Sequence, residues 1–503
     1  MSRQRTSSPT QNPEAAPASP TAAAEAFRKG NALQGMARFD EAITCYERAI
    51  SLKPDYMEAY RNRGNALKKL GRLVEAVASY EHAIALRPNV AAYTNRGNVL
   101  RQLERAEEAL DSYDQAIALD PHHAEVQNNR GSVLQELGRF DEAVASYQQA
   151  IALNPQYAEA HNNLGVALTK LRRFDEALAM LDQAIALKGD YAEPIWNRGL
   201  ARLLIGDYAA GWPDYEARKG KRAPVGDRSY PKPLWLGDAE ISGKTILVHW
   251  EQGFGDTIQF SRYVKLLADA GAKVLFAPQQ PLRTLMETLD ARVQIVDIDA
   301  PLPAFDFHCP LVSLPLAFGT ELRTIPRAQA YLHVDGGKLG TWRGVLGART
   351  KPFIGVVWSG RAEPDRSRSI DFLRFATLLD DRYQFVSLQK DVSEQDRTQL
   401  AAAKMVHLGD LLNDFADTAA VCSLMDLVIS VDTAVAHLAG ALAIPVWVLL
   451  PHVPDWRWML DRSDTPWYPT MSLIRQQRRG DWEGPLRQVQ LKLASRLGEW
   501  RER

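Results

Sequence analysis

From residue 22 to about residue 220, apolar positions return at helical spacing in paired blocks separated by short polar turns. Gly30, Gly64, Gly97, Gly131, Gly165 and Gly199 recur at steps of 34, 33, 34, 34 and 34 residues, and Ala42, Ala76, Ala109, Ala143 and Ala177 keep the same steps. Each unit closes near Pro54, Pro88, Pro121, Pro155 or Gly189, where a helix breaker ends the second helix. The pattern predicts stacked helical hairpins, with small residues where paired helices approach and Tyr46, Tyr80, Tyr113 and Tyr147 filling the gap to the next unit. Between Lys219 and Gly243 the period is lost, and Pro224, Gly226, Pro231, Pro233 and Gly237 mark a linker. Short buried runs then alternate with helical stretches: 244–250, 272–278 and 293–298, and again 353–360, 383–389, 426–431 and 445–451. This βα alternation predicts two consecutive parallel sheets.

The period and the glycine, alanine and tyrosine positions resemble tetratricopeptide repeats over residues 22–220, with five good copies and a degenerate sixth, "PIWNRGLARLLIGDYAAGWPDYEARK". Two positions before each later glycine stands an asparagine: Asn62, Asn95, Asn129, Asn163 and Asn197, whereas the first copy has Arg28. On the inner face of a solenoid these carboxamides would form a ladder able to bind the main chain of an extended protein or peptide acceptor without reading its sequence. Local helix packing is the alternative use of the same residues. An asparagine-lined array fused to a transferase resembles the O-linked N-acetylglucosamine transferases.

Composition narrows the partners. With 60 basic and 61 acidic residues, the chain has no overall field for nucleic acid or an anionic membrane, so an anionic ligand needs a local site. Cys45, Cys309 and Cys422 lack metal-ligand or redox spacing and read as reduced thiols of a cytoplasmic protein. Residues 1–21, rich in Ser, Thr, Pro and Ala, read as a disordered leader, and the most apolar run, 439–451, contains Pro445 and is too short to span a membrane.

An open parallel sheet binds ligands beyond the carboxyl ends of its strands, and this rule collects the polar residues. "HWEQGFGDT" and "WSGRAEPDRSRS" follow the first strand of each sheet, while "SLQKD" and "VDTAVAH" follow later strands of the second. Asp432 is expected to cap the helix opening at Thr433 and Ala434, leaving its first N–H groups for an anion such as a diphosphate, with His437 one turn on as a donor to phosphate or sugar. Gly253 and Gly255 are expected to let the loop backbone approach substrate. Arg361, Arg366 and above all Arg368 offer guanidinium groups for the diphosphate, and Gln389 and Lys390 stand at the same rim for base or ribose. Asp297 and Asp299 form a lone Asp-X-Asp, so no metal is expected. The tryptophans of "PDWRWML" and "SDTPWYP" suit either stacking on a ligand or packing between lobes.

"DTAVAHLAGALAIPVWVLLP" and "EQGFGDTIQFSRYV", with "PDWRWMLDRSDTPWYPTMSLIRQ", resemble the bacterial heptosyltransferases of glycosyltransferase family 9, although Ala434 stands where glycine is usual. The resemblance implies an α-helical tetratricopeptide solenoid followed by an α/β GT-B fold of two doubly wound Rossmann-like lobes, 243–345 on the acceptor side and 346–503 for the nucleotide-sugar, joined by a linker over 221–242. It also implies Asp256 as catalytic base of an inverting transfer without a cofactor, the nucleotide-sugar being the donor substrate; Glu251, five residues before Asp256, is the reserve base by its position rather than by the resemblance. The rival reading is an inactive tetratricopeptide scaffold with a transferase-like appendage. A lipopolysaccharide-type acceptor is a third.

Overall fold

A computed structural model describes residues 20–220, 230–327, 329–360, 366–403 and 405–496. The expected linker over 221–242 is therefore described only from Tyr230 on, and of the expected leader only its last two residues, which open the first helix. Contacts divide the chain between Gly189 and Asp190. The sixth hairpin thus groups with the α/β region rather than with the five copies before it.

The first unit is five helical hairpins: Pro20–Gly35 with Phe39–Leu52, Met57–Lys69 with Leu73–Leu86, Val90–Gln102 with Ala106–Leu119, Ala124–Glu136 with Phe140–Leu153, and Ala158–Lys170 with Phe174–Leu187. The repeated glycine exists because a ring lies on it. A Cβ at Gly64 would stand 2.6 Å from the Tyr80 ring, and Gly30, Gly97 and Gly131 meet Tyr46, Tyr113 and Tyr147 in the same way. Each tyrosine therefore fills its own hairpin, not the gap to the next one as the spacing suggested. First helices of adjacent hairpins touch one another, which places them on the inner face of the stack. At the hairpin turns, Gly71 and Gly138 take positive φ at +74° and +75°, while Ala37, Glu104 and Arg172 do so at +57°, +57° and +62°. A left-handed turn filled by a residue with a Cβ costs about 1 kcal/mol, so the turn geometry is set by the stacking.

The second unit opens with the sixth hairpin, Ala192–Ile205 and Tyr208–Tyr215, followed by two parallel sheets. The first sheet has β1 (Thr245–His249), β2 (Lys273–Ala277), β3 (Val293–Ile295) and β4 (Phe307–Pro310), in the order β3-β2-β1-β4. The second has β5 (Phe353–Val357), β6 (Gln384–Ser387), β7 (Val406–His407), β8 (Leu427–Val431), β9 (Val446–Leu450) and β10 (Met471–Arg475), in the order β10-β9-β8-β5-β6-β7. In each, the first strand is central and the winding reverses beside it, between β1 and β4 and between β5 and β8. Such a reversal leaves a crevice at the carboxyl ends of the two strands. β5, β8 and β9 are buried throughout, as continuous Val/Ile/Leu runs covered on both faces must be. The helix expected over 255–271 is broken at Ser261, whose hydroxyl donates to the Ile258 carbonyl, into Phe254–Phe260 and Arg262–Asp269.

The sixth hairpin is bonded to this unit. Trp212 Nε1 donates to the Thr320 carbonyl at 2.9 Å, and Tyr208 and Trp212 lie against Trp456, with Tyr208 also against Trp467. Those loop tryptophans are packing anchors rather than open platforms: Trp456, Trp458 and Trp467 are all buried. Cys309 and Cys422 are buried as well, and burial raises both thiols, Cys422 to about 12, so neither supplies a thiolate. Among the described residues no helix is long and apolar enough to cross a membrane.

Candidate functional site

The loop after β1 enters the helix Phe254–Phe260 through Gly253, whose N–H donates to Asp256 Oδ2 at 2.8 Å. The other Asp256 oxygen accepts from Arg457, 201 residues away, which also donates to Asp455 at 2.8 Å. Asp256 thus stabilises the helix start and meets a cation brought by the loop after β9. A fifth of its side chain stays accessible. Burial raises its carboxyl above the usual range and Arg457 opposes that rise. Arg457 is buried too, and Asp455 and Asp256 keep it charged. The opposed charges at the carboxyl ends of both sheets form one network.

Asp432 follows β8 in this network, but it is not the helix cap. The N-cap of Ala434–Ala441 is Thr433, whose hydroxyl bonds Ser430 Oγ at 3.0 Å instead of a helical N–H. Asp432 is left one residue outside, and burial together with the nearby Asp455 carboxylate pushes it up to about 6, opposed by Arg368 and Arg457. His437 Nε2 lies 4.0 Å from its Oδ1. His437 is not a free donor either. Its Nδ1 lies 2.9 Å from Tyr468 Oη, its ring stacks on Trp458 at 5.0 Å, and burial, with Arg457 and Arg262 nearby, keeps it neutral. Only Nε2, on the Asp432 side, remains for another contact.

Three further expectations are corrected. Glu251 is no spare base, because Arg218, 2% exposed, donates to its Oε1 at 2.6 and 3.1 Å and to Ser313 Oγ at 2.7 Å. Gly255 does not make room for substrate: a Cβ there would meet His437 Cδ2 at 3.0 Å and Ala434 Cα at 3.5 Å, so its hydrogen lets the two helices touch. Gln389 is committed to backbone, accepting from Ser359 N and donating to the Asp391 carbonyl. Lys390 donates to the Leu412 carbonyl and borders a cavity of about 430 Å³ shared with Asp391, Arg397, Asp410 and Asn413. Arg368 lies against Gly360, close enough that a Cβ there would stand 3.0 Å from its Nε. Arg361 and the Arg366 side chain fall outside the described residues. Asp297 accepts from Asp299 N in a turn.

Sequence reasoning did not find Arg457, Asp455, Tyr468 or Arg262. Arg262 is a buried cation with no carboxylate in ion-pair reach among the described residues, held by the carbonyls of Gln259, Pro326 and Trp467, the Tyr331 hydroxyl, and the faces of Tyr331 and Tyr468. Its charge adds to the positive potential at His437. Asp-X-Arg in "PDWRWML" was the readable signal.

On the repeats, the asparagine ladder is partly spent on itself. Asn62, Asn95, Asn129 and Asn163 each donate to a side chain one hairpin earlier, respectively Asn31, Asn65, Asn98 and Asn128, at 2.8 to 3.4 Å. Asn31, Asn65 and Asn98 also accept from Tyr46, Tyr80 and Tyr113. The carboxamides are half-buried, Asn197 included, and each donating amide has a second hydrogen left. Packing and ligand binding are thus compatible uses of one row.

The family description "TPR repeat" matches residues 30–71, 97–138 and 131–171, and "Tetratricopeptide repeat" matches 58–90 and 158–191. The array is made of tetratricopeptide repeats, which point to peptide or protein partners. Protein FlbA of Caulobacter vibrioides is 26% identical over 324 residues, covering 58% of this chain, and the chain spans about half (53%) of that protein's length. The crystal structure of YrrB, described as a TPR protein with an unusual peptide-binding site, is 26% identical over 34% of this chain and 90% of its own, with a TM-score of 0.32. A tetratricopeptide repeat protein from Parabacteroides merdae is 19% identical over 41% of this chain and 82% of its own, with a TM-score of 0.37.

Proposed function

We propose that the chain is a glycosyltransferase with a GT-B arrangement of its two sheets, moving a sugar from a nucleotide-sugar to a hydroxyl of a protein held by the repeats. One observation carries the reading: Asp256, Arg457, Asp455, Asp432 and Arg368 act on one another at the winding reversals of two parallel sheets. In this reading the acceptor oxygen attacks the anomeric carbon while the bond to the diphosphate breaks, with inversion. Asp256 takes the hydroxyl proton, and Arg457 holds that carboxylate in place. Arg368 and the first N–H groups of Ala434–Ala441 receive the leaving diphosphate, so no metal is required. His437 Nε2 and Asp432 face the sugar. Glu251 takes no part.

The test is a panel of UDP-, GDP- and ADP-sugars with the purified chain and cell lysate, read as release of nucleoside diphosphate. Asp256→Asn is expected to bind the same donor as the parent and to turn over roughly a hundredfold slower or worse. Undiminished turnover by this variant removes Asp256 from the chemistry. Failure of every donor to bind or turn over favours the second reading, a tetratricopeptide scaffold with an inactive appendage, which the repeat matches support by themselves.

A further inference from the structure

A neutral His437 can serve the crevice in two ways that differ by the place of one proton. With hydrogen on Nδ1, its Nε2 is a bare acceptor; with hydrogen on Nε2, that nitrogen is a donor. The surroundings decide between the two. The ring cannot turn away, because it stacks on Trp458 at 5.0 Å and the backbone at Gly255 closes its Cδ2 edge, where a Cβ would stand 3.0 Å off. Nδ1 meets Tyr468 Oη at 2.9 Å. The Tyr468 ring is fixed in turn: it is 1% exposed and seated on Gly440 of the same helix as His437, where a Cβ would stand 2.6 Å from it.

The direction of that bond follows from what lies behind Tyr468. Arg262 Nη2 donates to Tyr331 Oη at 3.0 Å, and the Tyr331 hydroxyl donates to the Ile258 carbonyl at 3.0 Å. Toward Tyr468, with which it also interacts, Tyr331 can therefore only accept. The single Tyr468 proton faces two acceptors, a phenol oxygen already drawn to a guanidinium and the imidazole Nδ1. The imidazole nitrogen is the stronger base, and the Arg262 guanidinium, 4.6 Å over the face of the Tyr468 ring, makes that phenol a better donor. On the far side of His437, Asp432 Oδ1 lies 4.0 Å from Nε2. When ionised it favours hydrogen on Nε2, yet the gap exceeds a hydrogen bond, so this N–H is left for a ligand oxygen. Arg457 and Arg262 act on the ring and, with burial, oppose a second proton, while Arg368, Arg457 and Asp455 act on Asp432.

We propose that Tyr468 is a positioning residue that locks His437 as the neutral Nε2–H tautomer, with Arg262 and Tyr331 setting the direction of the bond, so that the crevice presents a fixed N–H donor beside Asp432. The group it suits is a ligand oxygen that accepts a hydrogen bond. The tautomer stands on these contacts alone, whereas its use toward an oxygen of a nucleotide-sugar rests on the proposed function.

The experiment is long-range proton–nitrogen NMR of the full chain labelled with nitrogen-15 histidine, in which His437→Gln or His437→Asn identifies the His437 ring among the ten histidines. The expected spectrum has Nε2 protonated and Nδ1 bare from about pH 6 to about pH 8. Tyr468→Phe should move the Nδ1 resonance to that of a bare nitrogen without a hydrogen bond. Tyr331→Phe should leave both nitrogens where they are, because the Tyr468 proton already points at His437. The urea midpoint of tryptophan fluorescence checks that each variant is folded. Hydrogen on Nδ1 of the parent, an unmoved Nδ1 in Tyr468→Phe, or a change of tautomer in Tyr331→Phe overturns the proposal. For whichever of UDP-, GDP- and ADP-glucose binds, Tyr468→Phe should weaken binding about threefold to tenfold, the range of one neutral hydrogen bond. Equal binding by parent and variant overturns the use of His437 toward the ligand. If none of the three binds, the proposed function fails while the spectrum still decides the tautomer.

Discussion

Arg218→Met tests whether the sixth hairpin is an integral part of the α/β unit. The guanidinium is 2% exposed and Glu251 3% by side chain, so the substitution leaves a carboxylate buried among Tyr215, Ser313 and the β1 loop without its cation. Breaking one side of a buried pair costs about 3–5 kcal/mol, most of it the penalty on the stranded charge. All 12 tryptophans lie beyond Gly189, so tryptophan fluorescence during urea unfolding reports the second unit alone. The cost should depend on pH. Burial already raises the Glu251 carboxyl and Arg218 opposes it, so removing Arg218 raises it further. A carboxyl raised on folding contributes stability that is present below its unfolded value and lost as pH rises through its folded one. The deficit of the variant should therefore be largest at pH 8 and shrink toward pH 5. Arg218→Met with Glu251→Met, which removes this pair and leaves Glu216, Arg218's other partner, to Lys219, should recover more than half of it. A deficit below about 1 kcal/mol, or one equal at pH 5 and pH 8, would refute the account.

Two more outcomes follow from close approaches. Gly64→Ala places a Cβ 2.6 Å from the buried Tyr80 ring and should destabilise the array by about 1–3 kcal/mol by thermal circular dichroism, whereas Gly35→Ala, with nothing within 4 Å, should be near neutral. Gly255→Ala sets its methyl 3.0 Å from His437 and should lower the urea midpoint of the tryptophan transition, because two packed helices must part.

What was legible in the sequence was whatever repeats or runs. The five hairpins follow from glycine and alanine at a fixed period, and β1, β5, β8 and β9 from unbroken Val/Ile/Leu segments. β4, β7 and β10 were missed for local reasons: "FHCP" has no apolar run, β7 is two residues long, and β10 follows a Trp/Pro-rich loop. Asp256, Asp432 and His437 were found because each follows a strand. Arg457 was not, since only folding brings it to a carboxylate 201 positions away. The second asparagine row was hidden by decay, as Asn31, Asn65 and Asn98 give way to Ser132 and Val166.

The sixth hairpin shows how a repeat signature can persist while its use changes. Gly199 keeps the phase of the other glycines, but a Cβ there would meet the Tyr215 N at 2.8 Å, backbone rather than a ring. Its second helix comes in closer because Asp214, with a side chain 9% exposed, takes Arg198 and Arg202 together at 2.6 to 2.7 Å. That inward shift replaces the tyrosine-on-glycine contact with an ion triad around the buried Asp214, and Tyr208, Trp212 and Tyr215 turn to the aromatic rings of the α/β unit instead. The hydroxyl of Tyr215 bonds Gln252, one residue before Gly253, and Arg218 fixes Glu251 on the other side. The loop that presents Asp256 is therefore gripped by the last repeat, and a chain cut after residue 220 would lose that grip while one cut after Gly189 would keep it.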